Sequence, residues 1–130
     1  MTYEGDLQFQ AIHELSGTKI STDAPVDNQG KGRSFSPTDL LATALGACMG
    51  TIIGIVGKRD NIDLSGMTIN VEKEMTSHPV RRIGALRVDI KIPHSLKEEE
   101  KKKLKIAAET CPVHKSLHPD IQVTVNYLWP

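Results

Sequence analysis

Two cysteines, Cys48 and Cys111, are the side chains of this 130-residue chain best suited to covalent chemistry. If their sulfurs meet, they make a redox pair: one thiolate attacks a peroxide oxygen and becomes a sulfenic acid, and the other condenses with it to a disulfide. Such chemistry needs a thiol made acidic by a cation or a helix N-terminus, and an acid to hold that cation. Arg33, just ahead of the segment that carries Cys48, and Asp39, nine residues before the cysteine, are the candidates for those two parts. Two other readings fit the same residues. Buried thiols often act as small hydrophobes with no chemistry at all. Alternatively, Cys111, His114 and His118 form a C-x2-H-x3-H pattern that, with Cys48 as a fourth donor, has zinc-type ligands. His13, His78 and His94 have no evident partners, and nothing matches a phosphate loop, a serine-nucleophile motif or a nucleotide fingerprint.

The elements that must position the cysteines are readable from periodicity. From Leu40 to Gly57 no side chain is charged. Ser36, Pro37 and Asp39 ahead of that run make a helix start, with a capping serine, proline in the first turn and an acid three residues on. Lys58 and Arg59 suit the C-terminal end of the helix dipole, and Gly57 or Asn61 suits the stop. Leu41, Leu45, Cys48, Ile52 and Ile55 recur at steps of four and three, which predicts an inward stripe that includes Cys48. Gly46, Gly50 and Gly54 form a ridge on which another backbone can approach closely, and a second subunit is the expected neighbour. A second helix is predicted from Ser95, capped with Glu98 and laced by the pairs Glu98–Lys102 and Glu99–Lys103. Leu104, Ala107, Ala108 and Cys111 are its inner stripe, and Pro112 interrupts it. A short turn restarting at Pro112 would put Cys111 at a helix N-terminus.

Around these helices the pattern has period two. Residues 3–13 and 18–22 read as a hairpin, and residues 23–35 as a loop or short irregular strand. Residues 66–75 and 83–92 alternate as a second antiparallel hairpin with one wet face, and 120–128 is a last strand. The order ββ, helix, ββ, helix, β predicts one α+β domain over residues 1–130 with mostly antiparallel sheet.

Composition narrows the function. Lys and Arg total 16, as do Asp and Glu, so no basic surplus points to nucleic acid. The 40–57 run is near the length of a membrane span, but Thr43, Cys48 and Thr51 dilute it, and a buried core helix is the expectation. Two cysteines without a signal-like start fit the cytoplasm. Few aromatic residues leave an aliphatic core, one that a small domain can complete by oligomerising.

The run Ser36–Cys48, SPTDLLATALGAC, resembles the signature of the OsmC/Ohr superfamily of osmotically inducible and organic hydroperoxide resistance proteins. The run Thr110–Leu117, TCPVHKSL, is similar to that family's second cysteine segment. The resemblance implies an OsmC-like α+β fold, with sheets packed around two central helices in an intertwined homodimer. It implies a peroxidase that favours organic hydroperoxides, with Cys48 peroxidatic and Cys111 resolving. An external dithiol, lipoyl-type in one branch, would reduce the disulfide, with no metal or organic prosthetic group required. The family's glutamate position is Thr38 here, so its acid falls to Asp39. Its activating arginine falls to Arg33, the only arginine before Cys48, with Lys19 and Lys31 the other cations.

Overall fold

Alternating and 3.6-residue periodicities become six strands and three α-helices in the computed structural model, which describes residues 1–130. The chain forms two compact units, Met1–Leu41 and Ala42–Pro130.

The first unit is a three-stranded antiparallel sheet in the order β1 (Thr2–Gly5), β2 (Gln8–Ile12), β3 (Lys19–Asp23). The strand expected over 3–13 is two strands, because the chain reverses at Asp6 and Leu7, both at positive φ. Leu7 does not advertise such a turn. Tyr3 pairs with Phe9 and Phe9 with Thr22, and alternation puts Ala11 and Ile20 on that same apolar face. The loop expected after β3 holds a single 3-10 turn, Val26–Asn28, and a bridge between Thr22 and Phe35.

Helix α1 (Pro37–Asp60) starts as its sequence dictates. The Asp39 amide donates to Ser36 Oγ (3.1 Å), and the Ser36 amide donates to Asp39 Oδ2 (2.8 Å). It stops at Asn61, which is at positive φ, and the Ile62 amide closes back on the Gly57 carbonyl (2.9 Å).

The second unit packs α1 and α2 (Glu98–Glu109) with the sheet β4 (Thr68–Thr76), β5 (Arg82–Lys91), β6 (Gln122–Leu128). β4 and β5 are antiparallel, whereas β6 runs parallel to β5. The connection from β5 to β6 carries α2, and a crossover of that length delivers a parallel strand. Register stacks Ile69, Ile90 and Tyr127 on one row of the inner face, and Val71, Val88 and Val125 on the next. The outer face is polar: Arg87 meets Glu72 (3.0 Å), and Asn126 donates to Asp89 (2.7 Å). Leu45, Met49, Ile53, Leu86, Ile90 and Leu104 are fully buried among these layers.

Three expectations need correction. The stripe α1 buries is Ala42, Leu45, Gly46, Met49, Ile53 and Gly57. Leu41 and Ile55 are exposed, and Cys48 is at the stripe's margin. The helix is apolar nearly all round, so periodicity alone could not choose its inner face. The glycine ridge serves the chain's own sheet. A Cβ at Gly46 would meet Val71 Cγ2 at 2.8 Å, one at Gly50 would meet Ile69 Cδ1 at 2.8 Å, and only Gly54 faces open space. Finally, α2 is capped at Lys97, whose amide donates to Glu100 Oε2 (2.8 Å), two residues after the expected Ser95. Lys103 pairs with Glu99 as expected (3.2 Å), but Glu98 takes Lys101 (2.7 Å).

Candidate functional site

Cys111 sits in the break between two helices. Thr110 ends α2, its amide and hydroxyl both donating to the Ala107 carbonyl (3.0 and 2.7 Å). Pro112 then occupies the first position of α3 (Pro112–Lys115), where a missing N–H does no harm. Cys111 is left as the N-cap, fully buried, with Sγ accepting the His114 amide at 3.5 Å.

Cys48 comes to it from the middle of α1. It packs on the same core cluster, and its thiol is near enough to that of Cys111 to push the Cys111 pKa up. Both thiols are free. Burial pushes the Cys111 thiol pKa up, and contact with Cys48 pushes it further; the amides of His114 and Val113 offset this only in part. Cys111 is therefore a protonated, buried thiol at neutral pH, whereas Cys48 is partly exposed.

Arg33 and Asp39 are engaged within the first unit. Asp39 holds the cap of α1. The Arg33 guanidinium lies on Asp23, a carboxylate with no solvent exposure. Nε donates to Asp23 Oδ2 (2.7 Å) and Nη2 to Oδ1 (3.3 Å), while the Arg33 amide also reaches Oδ2 (2.9 Å). These bonds hold the Asp23 pKa down at about 2. Nη2 also donates to the Asp6 carbonyl (3.1 Å), and Nη1 is 3.1 Å from the Asp6 carboxylate, which Lys31 shares at 2.7 Å. Sequence reasoning missed Asp23. In DAPVDNQGKGR an aspartate looks like a turn former, and its burial depends on a partner ten residues on.

The zinc arrangement is not assembled. No three His, Cys, Asp or Glu side chains are grouped to hold a metal ion. His118 is exposed, its Nδ1 accepting the Asp120 amide at 3.2 Å. His114 Nδ1 is buried without a hydrogen-bond partner.

An α+β protein with a central cysteine-bearing helix and a second cysteine at a helix break defines a class. The chain belongs to the family of OsmC-like proteins, whose model matches residues 30–126. A crystal structure of a Psychrobacter arcticus protein assigned to osmotic stress induction and the detoxification response is 50% identical. It superposes with a TM-score of 0.92, over 97% of this chain and 91% of that one. The organic hydroperoxide resistance protein OsmC of Legionella pneumophila has the same fold at 18% identity, with a TM-score of 0.73 over 98% and 99% of the two chains. An organic hydroperoxide resistance protein of Elizabethkingia anophelis does so at 15%, with a TM-score of 0.76 over 99% of each chain. No curated protein is similar to the chain at a significant level.

Proposed function

We propose that the protein is a cysteine-based peroxidase that reduces hydroperoxides, organic ones in preference, with Cys48 as the peroxidatic and Cys111 as the resolving residue. The observation that carries the reading is the contact between two free thiols 63 positions apart, one accessible and one buried and protonated. The Cys48 thiolate attacks the hydroperoxide, and the O–O bond breaks. One oxygen stays as Cys48 sulfenic acid, and the other leaves as the alcohol after taking a proton. The Cys111 sulfur then attacks the Cys48 sulfur, its proton leaves with the hydroxide as water, and the disulfide forms. An external dithiol, of lipoyl type, reduces the disulfide by exchange and is itself oxidised to a disulfide. The resemblance gives Arg33 the part of the cation that favours the thiolate. Asp39 keeps the start of the Cys48 helix fixed.

A homodimer is part of the proposal. The α1 face bearing Ala44, Ala47, Thr51 and Ile55 is exposed, with Ile55 59% accessible. So is the apolar face of β1–β3, with Tyr3 at 55% and Ile20 at 47%. β6 carries no charge along an edge that a sheet normally protects. A second copy is the occupant that suits all three. α1 is long and apolar enough to cross a membrane, but a third of its most apolar stretch is buried in this chain, and small residues on the open face suit a helix better than lipid. A reducing cytoplasm is the setting that keeps both thiols available.

The test is to add cumene hydroperoxide to the reduced protein. Both thiols should disappear and an intramolecular disulfide appear, whereas Cys48→Ser should consume no peroxide. Full consumption by that variant would overturn the assignment.

A further inference from the structure

The peroxidase reading leaves one buried polar atom without a task. His114 Nδ1 is sealed from solvent and has no hydrogen-bond partner. Buried ring nitrogens are normally bonded, and one that is not costs stability. The ring belongs to the third residue of α3, whose N-cap is Cys111. The His114 amide donates to Cys111 Sγ at 3.5 Å, so the residue already touches the resolving sulfur through its backbone. Helix side chains lean toward the N-terminus, which sends the third one back over the cap. A glutamate or glutamine there would bond the N-cap amide. That amide is taken, because Cys111 N–H donates to the Ala108 carbonyl at 3.2 Å. The imidazole therefore caps nothing. Its inner nitrogen is vacant, and only one short side chain separates it from the amide that touches Sγ.

Cys111 needs what such a nitrogen supplies. The nucleophile that closes a disulfide is a thiolate. Cys111 is fully buried and keeps its proton at neutral pH. The strongest influences on its pKa are burial, the Cys48 thiol and the amides of His114 and Val113, none of which can take that proton away. Imidazole is the side chain whose charge changes nearest to neutral pH, and it is the commonest general base. His114 as a whole is half-buried, so its ring joins a sealed nitrogen to a wetter edge. His118 does not compete for this part, because it is exposed and its Nδ1 already accepts the Asp120 amide at 3.2 Å.

We propose that His114 is the proton acceptor of the resolving step, taking the Cys111 thiol proton at Nδ1 as Cys111 attacks the oxidised Cys48. This rests on the peroxidase reading. In the reduced protein no hydrogen bond joins Nδ1 to the thiol. The ring turns onto Sγ once the sulfenic acid has formed, as catalytic hydrogen bonds commonly close only in the reacting complex. The S–H bond of Cys111 breaks and its proton passes to Nδ1, while the sulfur's electron pair makes the S–S bond. The S–O bond of Cys48 breaks. The departing hydroxide takes the proton from the imidazolium and leaves as water, so the ring ends as it began and no further oxidant or reductant is consumed.

The experiment mixes reduced wild type, Cys48→Ser, His114→Asn and His114→Ala with cumene hydroperoxide and times two events separately. Peroxide consumption reports Cys48 oxidation, and the mass of acid-quenched samples reports disulfide formation; thermal unfolding is recorded for each protein. Asparagine keeps a polar atom near the place of Nδ1 but does not take up a proton at neutral pH. Both substitutions leave the residue 114 amide free to bond Cys111 Sγ. The first step should stay within about twofold of wild type in both variants, and disulfide formation should slow by about a hundredfold, the share typical of a general base. Cys48 sulfenic acid should then accumulate and be trapped by dimedone. If one variant does not fold, the other, at the same half-buried position, carries the test. Disulfide formation within about threefold of wild type in either folded variant would overturn the proposal, well short of what loss of a general base costs. So would equal slowing of both steps, which is the mark of a disturbed structure. A wild type that consumes no peroxide, or consumption that survives Cys48→Ser, would instead overturn the peroxidase reading, and this proposal with it.

Discussion

Replacing Gly46 with alanine should destabilise the protein, and the same change at Gly50 should cost less, although both glycines face β4 at the same distance. A Cβ at Gly46 would lie 2.8 Å from Val71 Cγ2 and 3.4 Å from Ile69 Cγ2; at Gly50 it would lie 2.8 Å from Ile69 Cδ1, with Met67 Cε next at 3.9 Å. Either alanine gains about 0.8–1 kcal/mol of helix propensity. At Gly46 the obstacle is a methyl on a stiff β-branched carbon. Val71 is also held in register opposite Val88 of β5. Overpacking of that kind costs about 1–3 kcal/mol, so the net effect at Gly46 is a loss of up to about 2 kcal/mol. At Gly50 the obstacle is the free end of Ile69, which can move at about 0.5–1.5 kcal/mol, so gain and loss nearly cancel. Urea unfolding of the three proteins at one fixed concentration measures the difference, the fixed concentration mattering because the stability of the proposed dimer would depend on it. In a chain of this size, 1 kcal/mol corresponds to about 3–5 °C in Tm. A Gly46→Ala variant as stable as wild type, or less affected than Gly50→Ala, would refute the packing of α1 on β4.

Three further outcomes follow from the same structure. Cys111→Ser should react once with hydroperoxide and stall as Cys48 sulfenic acid, which dimedone labels and mass spectrometry detects; quantitative disulfide between chains, with no label, would contradict the resolving part given to Cys111. Ile55→Asp puts a charge on the open face of α1, so analytical ultracentrifugation should find the proposed dimer weakened; a dimer unchanged by the substitution, or no dimer in wild type, would contradict the proposed interface. Asp23 and Asp60 both have folded pKa values of about 2, below the ordinary carboxylate value. Asp60 is lowered chiefly by its bond to Arg59. Their contribution to stability is therefore fully present above about pH 4 and is lost as pH falls through about 2. The urea midpoint should fall across that window, and fall less in Asp23→Asn; a midpoint flat from pH 4 to 2 would contradict the pairing.

Where local rules decide the structure, they were legible in the sequence. Ser36, Pro37 and Asp39 set the start of α1 because a cap is satisfied within four residues. β4 and β5 alternate visibly because one face is wet. Leu104, Ala107, Ala108 and Cys111 are buried as their spacing requires. What failed was decided elsewhere in the chain. α1 is apolar on every side, so only the position of β4 says that Met49 and Ile53 face the core and Ile55 does not. The direction of β6 follows from a helical crossover, not from its own residues. The two cysteines were singled out by residue type and motif, but the buried Asp23 was not, since nothing local distinguishes a buried aspartate from one in a turn.

The most direct test of the central claim is the fate of the two sulfurs when reduced wild-type protein meets one equivalent of cumene hydroperoxide. Intact mass and thiol titration should report the loss of two hydrogen atoms and of both free thiols, and a peptide map should place the new bond between Cys48 and Cys111. Peroxide left unconsumed, or consumed with both thiols still free, would contradict the account.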